Sequence, residues 1–338
     1  MPITPSTLPI HLVTSLLEVA GIDRSSRVEL LNQAGIPLFL LDKPQGRVTV
    51  QQFAGLYRLL VQEKQDEMPG FFSRALRPGA LKFLCLGLLD APNLQVALYR
   101  YCQYFRVLMD DLRYDLEIHH QQACLTLSEQ LPPRTEAILV HEMLLKLVHG
   151  LASWLIGEKI PPLKIDCAYP APQDGGDPLY FYPGQVNFNQ PRTAIYFDRL
   201  LLKKPLRQSR RSLASFLKKA PENWIDVSFP DRQLTPRVQE YLLDRGMAAS
   251  IQEVAADLHL SVRTLSRRLQ REGTSFQGVK DEVRRDEAIA WLTRNHQPLT
   301  SLAGHLGFED LPSFNRAFKK WTGSPPGAYR RGLRPKTA

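Results

Sequence analysis

Apolar residues recur at helical spacing from about residue 8 to residue 110. Leu12, Leu16, Leu17 and Ala20 fall on one face, and Gly21 can close that helix. Residues 50–63 and 93–108 carry similar stripes. The period then drops to two. Leu112, Tyr114, Leu116 and Ile118 alternate with polar residues, His119-His120-Gln121-Gln122 interrupts, and 123–127 resumes, which predicts a hairpin with a polar tip. Residues 134–155 return to helix. Strand candidates follow at 163–168 and 186–197, between loops such as Pro170-Ala171-Pro172 and Gly175-Gly176. Helices lead and strands follow, so the front of the chain reads as α+β.

The last stretch reads as all-α, and it repeats itself. Val254-Ala255-Ala256-Asp257-Leu258-His259-Leu260 returns 48 positions later as Leu302-Ala303-Gly304-His305-Leu306-Gly307-Phe308. Beyond each copy the register slips by one, pairing Leu265 with Phe314, Arg267 with Arg316 and Leu269 with Phe318. In the first copy Ser250 and Glu253 fit a capping box, and Ile251, Val254, Ala255 and Leu258 share a face. Ser261 is placed to cap a second helix, on which Leu265 and Leu269 point inward. Arg263, Thr264, Ser266, Arg267, Arg268 and Arg271 are then left on its other faces. In the second copy a tighter turn is expected, with Gly307 supplying positive φ, Asp310 as cap and Pro312 in the first turn. Phe314 and Phe318 point inward there, leaving Ser313, Asn315, Arg316, Lys319 and Lys320 outward. The long helix predicted over 276–292 can brace both copies through Phe276, Val279, Val283, Ala288 and Leu292. This is the helix-turn-helix plan, whose second helix lies in the DNA major groove.

Composition changes the picture little. The 338 residues suggest two domains, and 43% hydrophobic with 23% charged is ordinary for a soluble chain. No apolar run approaching the ~20 residues of a membrane span is evident, and the N-terminus lacks the basic lead of a secretory signal. The net charge of +9 calls for some anionic partner, yet from Pro221 onward there are 18 basic against 14 acidic residues. The densest basic stretch precedes that point: Lys203, Lys204, Arg207, Arg210, Arg211, Lys218 and Lys219, with no acid between them.

Other chemistry is weakly signalled. Cys85, Cys102, Cys124 and Cys167 are scattered and read as buried thiols in a reducing cytosol. His141-Glu142 lacks the second His of a zinc-peptidase helix, since Leu145 stands at that position, and His149 lies two turns on. His119-His120 and Asp110-Asp111 read as turns. No metal, cofactor or catalytic residue is assigned.

On the residues Val254-Ala255, Leu258, Leu260-Ser261, Leu265, Arg267, Leu269, Gly273, Phe276, Leu302-Ala303, Leu306-Gly307-Phe308, Phe314, Arg316, Phe318-Lys319, Gly323-Ser324-Pro325 and Tyr329-Arg330, the chain resembles the AraC/XylS transcription regulators. The resemblance spans about residues 248–331. It implies two helix-turn-helix units in adjacent major grooves, with Arg263, Ser266 and Arg267, then Ser313 and Arg316, as base-reading candidates. His259 departs from the pattern in the first turn, and Leu311-Pro312 departs in the second unit, implying that this unit reads bases less and phosphates more. Leu88-Leu89-Asp90-Ala91-Pro92, Ala97-Leu98, Ala168-Tyr169-Pro170-Ala171-Pro172, Phe197-Asp198, Leu201 and Pro205-Leu206 are similar to members with an arabinose-binding-like front domain.

The resulting expectation has three parts: residues 1–205 as an α+β effector-sensing and dimerisation domain, 206–235 as a basic linker, and 236–338 as the DNA-binding domain with two helix-turn-helix units joined by a long helix. A fragment from Pro221 to Ala338 is expected to fold alone. Expected DNA contacts are Arg263, Thr264, Ser266, Arg267, Arg268, Ser313, Asn315, Arg316, Lys319 and Lys320. The expected partners are double-stranded promoter DNA, a second copy of the chain, a small-molecule effector and, by resemblance, RNA polymerase, all in the cytoplasm and away from membranes. No enzymatic activity is expected. The alternatives are a DNA-repair enzyme with a reactive cysteine and a scaffold without DNA affinity.

Overall fold

The structure, a computed structural model, describes residues 7–130, 137–171, 185–225, 234–271, 274–294 and 297–332. The chain begins β1 (Thr7–Pro9), α1 (Ile10–Val19), α2 (Arg24–Gln33), β2 (Arg47–Thr49), α3 (Val50–Lys64), α4 (Ala80–Leu89) and α5 (Leu94–Leu108). Then come β3 (Leu112–His119), β4 (Gln122–Glu129), α6 (Ala137–Ile156), β5 (Lys164–Asp166), β6 (Val186–Asn187) and β7 (Thr193–Asp198). Helices α7 (Arg210–Lys219), α8 (Glu222–Ile225), α9 (Leu234–Arg245), α10 (Ile251–Asp257) and α11 (Val262–Arg271) follow. The last four are α12 (Phe276–Arg294), α13 (Leu299–His305), α14 (Leu311–Thr322) and α15 (Pro326–Gly332).

These elements form two compact units. One takes Leu12–Leu30 and Ala54–Phe229. The other takes Met1–His11, Leu31–Phe53 and Pro230–Ala338. The second unit therefore includes two early segments of the chain as well as its C-terminal helices.

The first unit combines helices with a five-stranded sheet of order β3-β4-β7-β5-β6. The hairpin forms as the alternation predicts. His119 pairs with Gln122, leaving His120 and Gln121 as a two-residue turn. Strand β4 lies between β3 and β7, so Ala123, Cys124, Leu125 and Leu127 are all buried. Helix α5 turns Tyr101 and Phe105 onto Tyr114 of β3, with ring centroids 5.0 and 5.2 Å away. Such offset and edge contacts suit the aromatic quadrupole. Helix α6 is the longest element of this core. At Gly150 an added Cβ would stand 2.4 Å from Trp224 Cβ, so only glycine lets α8 approach so closely.

Three expectations for this unit are corrected. Residues 186–197 are not one strand. They split into β6 and β7, because Asn189 adopts φ 55° and Pro191 follows, which breaks the extended path. Residues 206–225 are not linker-like: α7 and α8 bury Leu213, Phe216, Trp224 and Ile225, and the Phe216 ring stacks on Trp154 at 4.4 Å. An apolar run of spanning length does exist, Ile138–Ile156 with mean hydropathy 1.3, but most of it is buried inside this unit. The loop glycines Gly175 and Gly176 and the start of the helix expected at 134–136 lie outside the described residues.

In the second unit α12 is the central element, burying Val279, Val283, Ala288, Ile289, Ala290 and Leu292. Strands β1 and β2 pair antiparallel, Thr7 opposite Thr49. Thr7 Oγ1 donates to Asp286 Oδ1 on α12 at 2.5 Å, and the Arg47 guanidinium donates to Thr7 Oγ1 and Thr7 O, both at 2.7 Å.

Candidate nucleic-acid interface

The helix pairs α10–α11 and α13–α14 turn in the same way. Leu258 and Leu306, which end the first helix of each pair, share φ −80° and ψ 2°. The next residue takes positive φ in both: 55° at His259 and 71° at Gly307. Leu260 N then donates to Ala255 O at 2.8 Å, and Phe308 N to Ala303 O at 2.9 Å. The turns diverge only afterwards. Ser261 follows Leu260 directly as cap, its Oγ accepting from Thr264 N at 3.2 Å. Asp310 accepts from Ser313 N at 2.6 Å, with Glu309 intervening. The one-residue slip therefore lies at Glu309. The second turn is one residue longer than the first, not tighter as expected.

Caps fix the helix starts. Ser250 and Glu253 complete the reciprocal capping box that holds α10. The Ser250 amide and hydroxyl keep the Glu253 carboxyl below its ordinary range, and the Ser313 amide and hydroxyl do the same for Asp310. Both acids stay ionised at the positive ends of their helices.

On α11, Leu265 and Leu269 are fully buried while Arg263, Arg267 and Arg268 are exposed. Thr264 and Ser266 are half-buried beside the turn. On α14, Phe314 and Phe318 are buried and Arg316, Lys319 and Lys320 are exposed. Arg316 Nη2 donates to Ser313 Oγ at 3.0 Å, which holds the guanidinium along the helix. Asn315 departs from expectation. It is half-buried, and its Oδ1 has no hydrogen-bond partner among the described residues, because its position borders the Phe314 face. Ser266 and Asn315 are equivalent by the 49-residue offset, and both sit at this edge. Arg263 has Pro312 as its equivalent, so the first turn of α14 carries no cation. The side chain of Arg271 and all of Gly273 lie outside the described residues.

Two cations in this module work inside it. Arg284 Nη2 donates to Met247 O and to Gly307 O, each at 3.1 Å, with its guanidinium 4.7 Å above the Phe308 ring. Lys280 Nζ donates to Ala249 O at 2.8 Å. Burial lowers both pKa values, and the charge of Arg284 lowers that of Lys280 further. One arginine of α12 thus ties the lead-in of the first helix pair to the turn of the second. Sequence reading missed them. The available signal was their position, each directly after a core valine, four residues apart on α12.

Elsewhere the acids and thiols take structural places. Asp111 accepts from Ser73 N and Oγ, both at 2.9 Å, and caps a loop. His141 Nδ1 lies 3.3 Å from Thr193 Oγ1, and its Nε2 lies 2.9 Å from Glu129 Oε1, though without hydrogen-bond alignment. His149 Nε2 meets Ile160 O at 2.7 Å. No metal-holding cluster occurs among the described residues. All four cysteines are buried, and burial pushes their thiols up, to about 12 at Cys85 and Cys102 and about 11 at Cys167. None is poised as a thiolate nucleophile.

Residues 25–206 match the family described as the arabinose-binding domain of AraC transcription regulators, and residues 254–332 match a helix-turn-helix domain. The chain is 28% identical over 331 residues to the ornithine utilization regulator of Pseudomonas aeruginosa, covering 97% of each. It is 28% identical over 106 residues to the arabinose operon regulatory protein of Escherichia coli, which is 31% of this chain and 36% of that protein. The crystal structure of the transcriptional regulator CdpR from Pseudomonas aeruginosa aligns over 95% of this chain and 97% of that one, at 21% identity and a TM-score of 0.32. None of these likenesses points to a DNA-repair enzyme. The first family match alone covers more than half of the chain: it belongs to the AraC family of DNA-binding transcription regulators, with an arabinose-binding-type N-terminal domain and a helix-turn-helix C-terminal domain.

Proposed function

We propose that α10–α11 and α13–α14 are two helix-turn-helix units whose second helices enter successive major grooves of promoter DNA. The carrying observation is the shared turn: equal dihedrals at Leu258 and Leu306, positive φ at the next residue, and Arg267 and Arg316 exposed at equivalent positions of the helices that follow. On this reading Arg263, Thr264, Ser266, Arg267 and Arg268 serve the first groove. Ser313, Asn315, Arg316, Lys319 and Lys320 serve the second. An arginine fork there pairs with guanine O6 and N7 or holds a phosphate. Without a cation in its first turn, α14 leans towards phosphates.

The front domain then supplies control. It binds a small polar metabolite, for which ornithine and arabinose are the first candidates from the names of relatives. It also joins two copies of the chain. Phe83, Tyr99 and Val107, exposed at 71%, 60% and 79% on α4 and α5, are apolar surface that favours a protein partner. The dimer works in the cytoplasm as an activator that contacts RNA polymerase, the habit implied by the family.

Footprinting of the full-length protein on the promoter of its own gene and of neighbouring genes tests the groove assignment. Two protected stretches should lie on one face, about 10 base pairs apart, for each copy of the chain. A single protected stretch per copy would contradict it.

A further inference from the structure

Helix α7 and the segment leading into it carry cations that their own unit does not neutralise. Lys203, Arg207, Arg210, Arg211, Lys218 and Lys219 have no acidic partner among the described residues, and all six are exposed. Their neighbour Lys204 differs, since it pairs with Glu158. The helix is firmly seated by Leu213 and Phe216, so the opposite face is a fixed surface. That face has a definite relief. Arg211 and Lys218 lie seven residues apart, two turns of helix, and therefore in one line about 10.5 Å apart. Between them stand only Ala214 and Ser215, both exposed and small.

Solvation and helix electrostatics account for part of this charge only. Lys218 and Lys219 occupy the last turn, where the helix dipole welcomes cations. Arg210 and Arg211 occupy the first turn, where the dipole opposes them and acids are preferred. Their placement works against the helix, and an external anion would relieve it.

We propose that this face of α7 is a second DNA-contacting surface, outside the helix-turn-helix pairs, that takes the phosphate backbone of the duplex. The inference rests on the DNA-binding reading above. A low ridge between two cationic ends lets a strand approach closely. With two cationic ends on one line, Arg211 and Lys218 can each meet a phosphate of the same duplex. Because phosphates carry no sequence, the surface adds affinity and no discrimination.

The test uses full-length protein and a random-sequence duplex, so no operator need be known. The R211Q/K218Q variant should bind that duplex more weakly. Its plot of log affinity against log salt should lose about two units of slope, ~0.9 for each phosphate released. A matched variant, R24Q/K64Q, removes the same charge from exposed positions of that unit on α2 and α3 and should leave the slope unchanged. An unchanged slope in R211Q/K218Q overturns the proposal, and this includes the case where only transcription activation is lost and the face serves an acidic protein. An equal loss in both variants overturns it too, since bulk charge would then be the cause. Wild-type protein that binds no duplex would instead defeat the DNA-binding reading itself.

Discussion

The backbone amide of Arg47 donates to the hydroxyl of Tyr329 at 3.2 Å, which joins strand β2 to α15, the last helix of the chain. Tyr329 is buried, with edge contacts to Phe39 at 5.9 Å and to Phe318 at 5.3 Å. Residues near position 40 therefore complete the core behind α14. The sequence-based expectation that residues 221–338 fold alone leaves this contribution out.

Tyr329→Phe keeps the rings and removes the acceptor, leaving a buried amide without its partner. The expected loss is about 1–3 kcal/mol in urea unfolding of the full-length protein. A fragment beginning at Pro221 should melt well below the same module carrying residues 1–53. Equal melting temperatures would show that the early segments contribute nothing.

His259 and Gly307 hold the same left-handed position in the two turns, and substitutions should move stability in opposite directions. His259→Gly removes the strain of a side chain at φ 55° and should stabilise by about 1 kcal/mol. Gly307→Ala adds a Cβ at 2.9 Å from Ala248 N, at φ 71°, and should destabilise by roughly 1–3 kcal/mol. Denaturant midpoints that move the same way in both variants would contradict the equivalence of the turns.

The front domain should weaken in mild acid. Burial, with the charge of Lys146 beside it, lowers the pKa of His149 to about 3. Between an unfolded value near 6.5 and that folded value, the unfolded chain holds a proton that the folded one refuses. Stability therefore falls as pH drops through this window, by up to ~1.4 kcal/mol per unit, and His141, also lowered by burial, acts in the same direction. His149→Gln should flatten the melting curve between pH 7 and 5. An imidazole that titrates near 6.5 by nuclear magnetic resonance would refute this.

The proposed dimer rests on exposed apolar side chains of α4 and α5. Sedimentation should show the full-length chain as a dimer at micromolar concentration and Val107→Arg as a monomer with an unchanged far-ultraviolet circular dichroism spectrum. A monomeric wild type, or an intact dimer in the variant, would move the interface elsewhere.

Much of the helical module was legible because its signals are local. Ser250 with Glu253, Ser261 and Asp310 are caps that act within three residues, and the 48-residue echo located both turns. The slip to 49 was visible as well, though not that it came from Glu309. What escaped were non-local pairings. Thr7–Pro9 and Arg47–Thr49 are too short to show a period, and nothing near them announces a partner some 40 residues away or a helix at Asp286. Residues 206–225 were read by their charge, which masked Leu213, Phe216, Trp224 and Ile225 at helical spacing. Lys280 and Arg284 were hidden differently, since a cation that bonds backbone carbonyls inside a module looks in sequence like one on its surface. Of the expected DNA contacts, the long cations were the easiest to place outside the core. Ser266 and Asn315, one step from a buried ring or leucine, lie at its edge.

Arg267→Ala and Arg316→Ala, measured against both the protected promoter sequence and a random duplex, test the groove assignment most directly. Each should cost about 1–3 kcal/mol on the promoter sequence, and the loss on random DNA should be smaller wherever the arginine reads a base. A uniform loss on both duplexes, with the salt slope reduced by about one, would assign that arginine to phosphate. Unchanged promoter affinity in both variants would contradict the claim that α11 and α14 face DNA.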